Sequence, residues 1–178
     1  MCETQAMETQ ASDVMQGLAD RLEQAAAAMT KLGPAIAARE PWPLTATYGP
    51  GPESEWGPRE VLAHVAEMLP YWLGEIERIV DTRGHEPPAF GRLEGDPIRV
   101  QVIGRDRTFP GRELLSRIDV EARRTAARFR TLSDAEATYL GRHVTRGDLT
   151  IADIAERLIV GHVEGHVTQL GDIVAAAK

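Results

Sequence analysis

Cysteine is nearly missing from this chain of 178 residues: Cys2 stands alone, so no internal disulfide and no cysteine-based zinc site can form. Only Met1 precedes it, where a lipoprotein cysteine would need an apolar leader, and Cys2 reads as an exposed thiol at a frayed terminus. Positive charge is scarce as well, with 20 Lys and Arg against 27 Asp and Glu and a net charge of −7. Lacking a long basic run, the sequence has no electrostatic footprint for nucleic acid, and an acidic surface gains nothing from anionic lipid headgroups. No apolar stretch approaches the ~18–20 residues of a membrane span. Met1–Gln10 shows neither a basic n-region nor an apolar h-region, so no signal peptide is expected, and the cytoplasm is the expected compartment. Lysine is rare too: 18 of the 20 basic residues are arginine, a bias that reads as codon usage.

What is present is an ordinary globular composition, 43% hydrophobic and 26% charged, at a length that suits one domain, 1–178. Apolar spacing predicts four long helices joined by Gly/Pro-rich loops. The first runs from Ser12 to Arg39, with Leu18, Leu22, Ala25, Met29, Leu32 and Ile36 on one stripe, and Pro41 and Pro43 forbid its continuation. Pro41 to Gly57 reads as a structured loop. The second helix opens at Pro58 after a Gly57 N-cap, with Glu60 near its N-terminus. Its buried face is Val61, Val65, Leu69, Trp72, Ile76 and Ile79, Gly84 is its stop, and Pro70 is expected to kink it. Gly84 to Phe109 is expected to be irregular, a lid, a subunit contact or a cover, with Ile98, Val100 and Val102 spaced for a short extended piece. The third helix covers Pro110 to Leu132, and a short segment of undecided form follows from Ser133 to Tyr139. The fourth has the sharpest start signal: Thr150 as N-cap, Asp153 at N3, and Leu149 and Ile154 as a hydrophobic staple. No strand pattern interrupts them, so the fold class is all-α, a helix bundle.

Five histidines are present, and three fall on predicted inward faces. His162 and His166, four apart, stand over one another on the fourth helix and continue the stripe of Leu158 and Leu170. His64 sits beside Val61, Val65 and Met68 on the second. Packed helices lie ~8–10 Å apart, so one imidazole can meet two from a neighbour. Three imidazoles converging on an ion make the protein part of a four-coordinate site with one open position. The alternative is three core histidines bonded to their neighbours. His162-Val-Glu-Gly-His166 is not the H-E-x-x-H motif of zinc proteases, because Glu164 is displaced by one residue and points elsewhere. His85 and His143 read as solvated residues in loops or near helix ends.

Trp56-Gly-Pro-Arg-Glu-Val-Leu-Ala-His64-Val-Ala, followed by Tyr71-Trp72-Leu-Gly, resembles the second-helix signature of the DinB/YfiT-like superfamily. Gly147-Asp-Leu-Thr-Ile-Ala-Asp153 and Gly161-His162-Val-Glu-Gly-His166-Val-Thr-Gln169-Leu resemble its closing helix. The likeness spans essentially the whole chain, through the order of four helices, the long middle loop and the histidine pattern. It implies a four-helix bundle, often a homodimer, holding a divalent metal with three histidines; His64, His162 and His166 match those ligands. It also implies thiol-dependent S-transferase, thiol-dependent isomerase or hydrolase activity on a small-molecule substrate, although many members have no assigned activity. Pro70, Gly161 and Gly165 depart from the family's pattern.

Imidazole ligation suits Zn, Ni, Cu or Fe, with Zn or Ni the choice here. Three neutral ligands leave the ion its full charge, which would activate either a water or a low-molecular-weight thiol. Glu67, Tyr71 and Gln169 are spaced to border the pocket, as proton acceptor or as partner to an imidazole, with an ordinary helix surface as the alternative. The arginines from Arg99 to Arg112 could recognise a carboxylate, or simply balance nearby acids. Three functions stay open: a metalloenzyme, a metal-binding bundle without chemistry, and a structural bundle without metal. A deep pocket at an open position favours the first, and a fourth protein ligand the second.

Overall fold

The computed structural model describes residues 2–45 and 53–177, with side chains from Asp13 onward, so the expectation for the Cys2 thiol lies outside the described residues. Helix α1 (Cys2–Ala37) buries Met15, Leu18, Leu22, Ala25, Met29 and Ile36, the predicted stripe with Leu32 only partly covered. It begins ten residues earlier than its apolar spacing suggests, because Glu, Gln, Ala and Met carry a helix without a buried face. Helix α2 (Pro58–Asp81) starts on the Gly57 N-cap with Pro58 in its first turn, and it continues through Pro70 to Asp81. Helix α4 (Gly111–Thr131) buries Leu114, Ile118, Ala122 and Phe129.

The last long rod is built from three successive pieces: α6 (Ile151–Ile154), a π-helical stretch Ala155–Val160, and α7 (Gly161–Ala176). Its start is as predicted. The Thr150 hydroxyl accepts from the Asp153 amide, and the Asp153 carboxylate accepts from the Thr150 amide, which satisfies two otherwise orphaned donors. Helix α1 packs on α4 and α7, and α2 packs on the same two, so the shared apolar faces form one core. Among the described residues no helix is long and apolar enough to cross a membrane.

Two regions differ from expectation. Within Gly84 to Phe109 the chain forms helix α3 (Pro97–Asp106) rather than an extended piece at Ile98, Val100 and Val102. The reason is local: the Asp96 carboxylate caps the Ile98 and Arg99 amides, and Pro97 presets the first turn. The short segment after α4 becomes α5 (Asp134–Ala137), closed by a Ser133–Glu136 capping box. The prediction of no strands is corrected by a small sheet of order β1-β2-β3. Strand β1 (Ala89–Phe90) pairs in parallel with β2 (Leu140–His143), which pairs antiparallel with β3 (Gly147–Thr150). Strands of two to four residues are too short for alternation to stand out in sequence.

The sheet ties the middle segment to the bundle. At its edge Gly91 has φ +82°, donates its amide to Glu75 Oε2 at 2.9 Å, and lies so close to His143 that an added Cβ would sit 2.6 Å from the ring. Gly91→Ala therefore meets both an unfavourable backbone conformation and a clash. It is expected to lower the unfolding free energy by about 2 kcal/mol or more, read as a shift in the urea midpoint at unchanged slope.

Candidate metal centre

Three parts of the chain bring ionisable groups to one point. His64 stands in the second turn of α2, 3% exposed, among Val61, Val65 and Met68. His162 and His166 stand one turn apart on α7, with His166 only 4% exposed. Glu53 opens the short 3-10 turn Glu53–Glu55 just ahead of α2. These four residues form a cluster that could hold a metal ion, each offering a donor atom within 4.8 Å of the others.

The separations have the scale of a coordination shell. His64 Nε2 lies 3.4 Å from His162 Nε2 and 3.5 Å from Glu53 Oε1. Glu53 Oε2 lies 3.0 Å from His162 Nε2 and 3.6 Å from His166 Nε2. Donors about 2.0–2.1 Å from a tetrahedral ion are about 3.3 Å apart, so small side-chain adjustments would let all four point at a common centre. His166 Nε2 is buried without a hydrogen-bond partner among the described residues, a costly state for an isolated imidazole and an expected one for a ligand.

Neighbouring groups fix how these side chains face. The Gln169 amide donates to the Glu53 carbonyl at 2.7 Å and more weakly to that of Trp56, which turns its own oxygen toward His166 Nδ1 at 2.9 Å. His166 thus carries its proton on Nδ1 and presents the Nε2 lone pair to the cluster. Gln169 borders the site as its spacing predicted. Trp56 packs edge-on against His64, 5.4 Å between centroids. From α3, the Arg99 guanidinium donates to Glu53 Oε1 and, at 2.7 Å, to the Glu94 carbonyl.

Electrostatics leave the donors ready to ligate. Burial holds the His64 pKa well below the usual imidazole value, with His162, His166 and two arginines adding to it. His166 is lowered by burial and by His162, against the opposing effect of Gln169 and Glu53. Burial pushes the Glu53 carboxyl up, but its hydrogen bond with His162 and the charges of the histidines and Arg99 bring it below the ordinary range. Neutral imidazoles beside an ionised carboxylate are the protonation states a metal requires.

The three predicted histidines are thus brought together, and a fourth group joins them. Glu53 was missed because it lies in a Pro/Gly-rich segment with no periodicity, where sequence gives no direction to a side chain. His85 is exposed as expected. His143 corrects its expectation of a solvated residue: it is 7% exposed, stacked on Trp72 at 6.1 Å and edge-on to Phe90. Glu67 touches no imidazole; its carboxylate is held by Arg92, which lies 3.7 Å over the Tyr71 ring. Burial raises the Glu67 pKa and pushes the Tyr71 phenol up to about 12. Of the arginines from Arg99 to Arg112, Arg99, Arg105 and Arg107 pair with Glu53, Asp106 and Glu60. Glu164 is bound to Arg21 and faces away from the histidines' focus.

A cavity of about 680 Å³ opens beside the cluster, its walls including Glu53, His64, His162, Trp72, His143 and Leu158. Gly161 and Gly165 line a second, shallower hollow along α7, and a Cβ added at Gly165 would meet nothing within 4 Å. Gly165 therefore answers to no close helix packing. No family model, no curated protein and no solved structure matches the chain.

His143 supplies a test of this geometry. Burial lowers its pKa from 6.5, Arg146 lowers it further, and Glu75 partly opposes them. The unfolded chain therefore binds a proton that the folded chain refuses, and stability present above about pH 6.5 is lost as the pH falls toward the folded value. The His143 ring is expected to titrate below pH 6.5 by NMR. Urea unfolding of His143→Gln should lose less stability between pH 7.5 and 5.5 than that of the parent.

Proposed function

We propose that the chain is a divalent-metal-dependent enzyme of DinB/YfiT-like type, a four-helix bundle whose three-histidine site activates a small thiol or a water. The observation that carries this reading is the convergence of His64, His162 and His166 at shell-like separations, with His166 Nε2 buried and unpaired, beside a cavity that reaches the site. Neutral imidazoles suit zinc or nickel. Such an ion, when bound, supplies a strong local positive charge that lowers the pKa of a bound water or thiol.

The chain's own contribution is positional. The three histidines hold through Nε2, and Gln169 fixes the tautomer and tilt of His166. His64 and His166, largely buried, keep solvent from one side, while His162 and Glu53 face the cavity. Glu53 Oε2 is placed to take up the proton released by the group being activated, and Arg99 holds the other oxygen still.

A second reading rests on the same carboxylate. With Oε2 3.0 and 3.6 Å from two ring nitrogens, Glu53 is also positioned as a fourth ligand, which would close the shell and make a metal-binding bundle without chemistry. The cavity beside Glu53 favours the catalytic reading.

Elemental analysis of untagged protein separates the two. About one divalent ion per chain is expected, lost in His166→Ala and kept in Glu53→Gln. In a screen of small thiol acceptors and hydrolysable substrates, Glu53→Gln should be about 100-fold slower or worse. Loss of the metal from Glu53→Gln as well would establish the closed shell. A folded protein that takes up neither zinc nor nickel would overturn both readings.

A further inference from the structure

The cavity beside the cluster has an unusual charge for this chain. Arg92, Arg99, Arg146 and Arg157 line it against Glu53 and Glu94, a local positive excess in a protein of net charge −7. The four guanidiniums are not equivalent. Arg92 is held by Glu67 and lies over Tyr71, and Arg99 is held by Glu53 and the Glu94 carbonyl. Arg146, in the turn between β2 and β3, is exposed and has no ion pair among the described residues. Arg157, on the π-helical stretch, is 63% exposed and lies 3.4 Å from Asp153. Two guanidiniums are thus committed to the wall, and two are available to a ligand.

The rest of the lining is apolar and flat. Trp72 and His143 stack with a 27° interplanar angle, Leu158 lines the same space, and Leu93 on the rim leaves 61% of its surface exposed. A hydrated inorganic anion has no use for such a wall; an organic body does. Guanidinium forks match a planar carboxylate in geometry and charge, and a low-dielectric cleft of one sign concentrates anions from solution.

We infer that this cavity binds a small organic carboxylate, its anionic head on Arg146 and Arg157 and its apolar body against Trp72 and His143. This deepens the proposed function and rests on it in one respect: the cluster is taken as the place where that molecule reacts. The carboxylate head anchors the substrate at the arginines, so that its remaining length extends toward His162 and Glu53.

Calorimetric titration of the protein as purified tests this, with succinate and its neutral diamide succinamide as probes and with metal content measured on every sample. Succinate is expected to bind about tenfold or more tightly than succinamide, with an affinity that falls as salt is added. The double variant R146S/R157S, both positions being exposed, should lose that preference, binding succinate about tenfold more weakly and succinamide unchanged. Equal binding of the two probes, or a double variant that binds succinate like the parent, overturns the inference. Metal content keeps the two claims apart. A metal-free sample that still prefers succinate removes the reaction centre and leaves the anion site standing; one ion per chain with no preference does the reverse.

Discussion

Three imidazoles do not share a buried point without compensation, since each desolvated ring nitrogen needs a partner and three protonated rings would repel one another. In this chain the compensation is the Glu53 carboxylate, which faces all three Nε2 atoms and is itself held by the Arg99 guanidinium. Much of the surrounding structure serves that contact. The capped start of α3 carries Arg99, the 3-10 turn before α2 carries Glu53, and Gln169 reaches from α7 to the Glu53 carbonyl. The carboxylate is therefore the junction at which α2, α3 and α7 are brought into register.

Arginine does similar work elsewhere. Glu60 is fully buried at the start of α2, where it accepts from the Thr45 amide and hydroxyl and from Arg107. Arg59 reaches the carbonyls of Arg107 and Thr108, and Arg21 bridges Glu156 and Glu164 on the last rod. Each is a forked contact that a lysine ammonium cannot reproduce. The exposed pairs contribute little individually, whereas the buried pairs Arg99–Glu53, Arg92–Glu67 and Arg107–Glu60 would each leave a desolvated charge if one partner were removed. The arginine bias that reads in sequence as codon usage thus has a structural use in the loops around the cluster.

The parts of the molecule that were legible in sequence are those governed by local rules. The stripes of α1, α2 and α4 follow from helical periodicity, and the Thr150–Asp153 capping box needs only four residues to declare itself. His162 and His166 were legible as a pair because their spacing alone puts them on one face. Asp96-Pro97 carried the same kind of start signal for α3, but the alternating apolar residues after it point to an extended piece. What was illegible depends on contacts far apart in the chain. Glu53 is brought to His162 across 109 positions, and His143 is covered by Trp72 and Phe90, which no nearby pattern announces. The small sheet was hidden for another reason: its strands are held by pairing between distant segments, and their own sequence is too short to speak for them.

The π-helical turn at Ala155–Val160 divides the last rod into two parts that answer to different masters. Its N-terminal end is anchored in azimuth by the Thr150 cap and the sheet, while its C-terminal end must aim two imidazoles at a target on α2. A wide turn holds one residue more than an α-turn of the same rise, so it works as a phase adjuster between those two demands. Deleting a single residue from it would leave a good helix and an intact core stripe before it. It would also swing everything after it by about 100° and draw it back by about 1.5 Å. His162 and His166 would then remain neighbours, aligned as before and aimed at nothing.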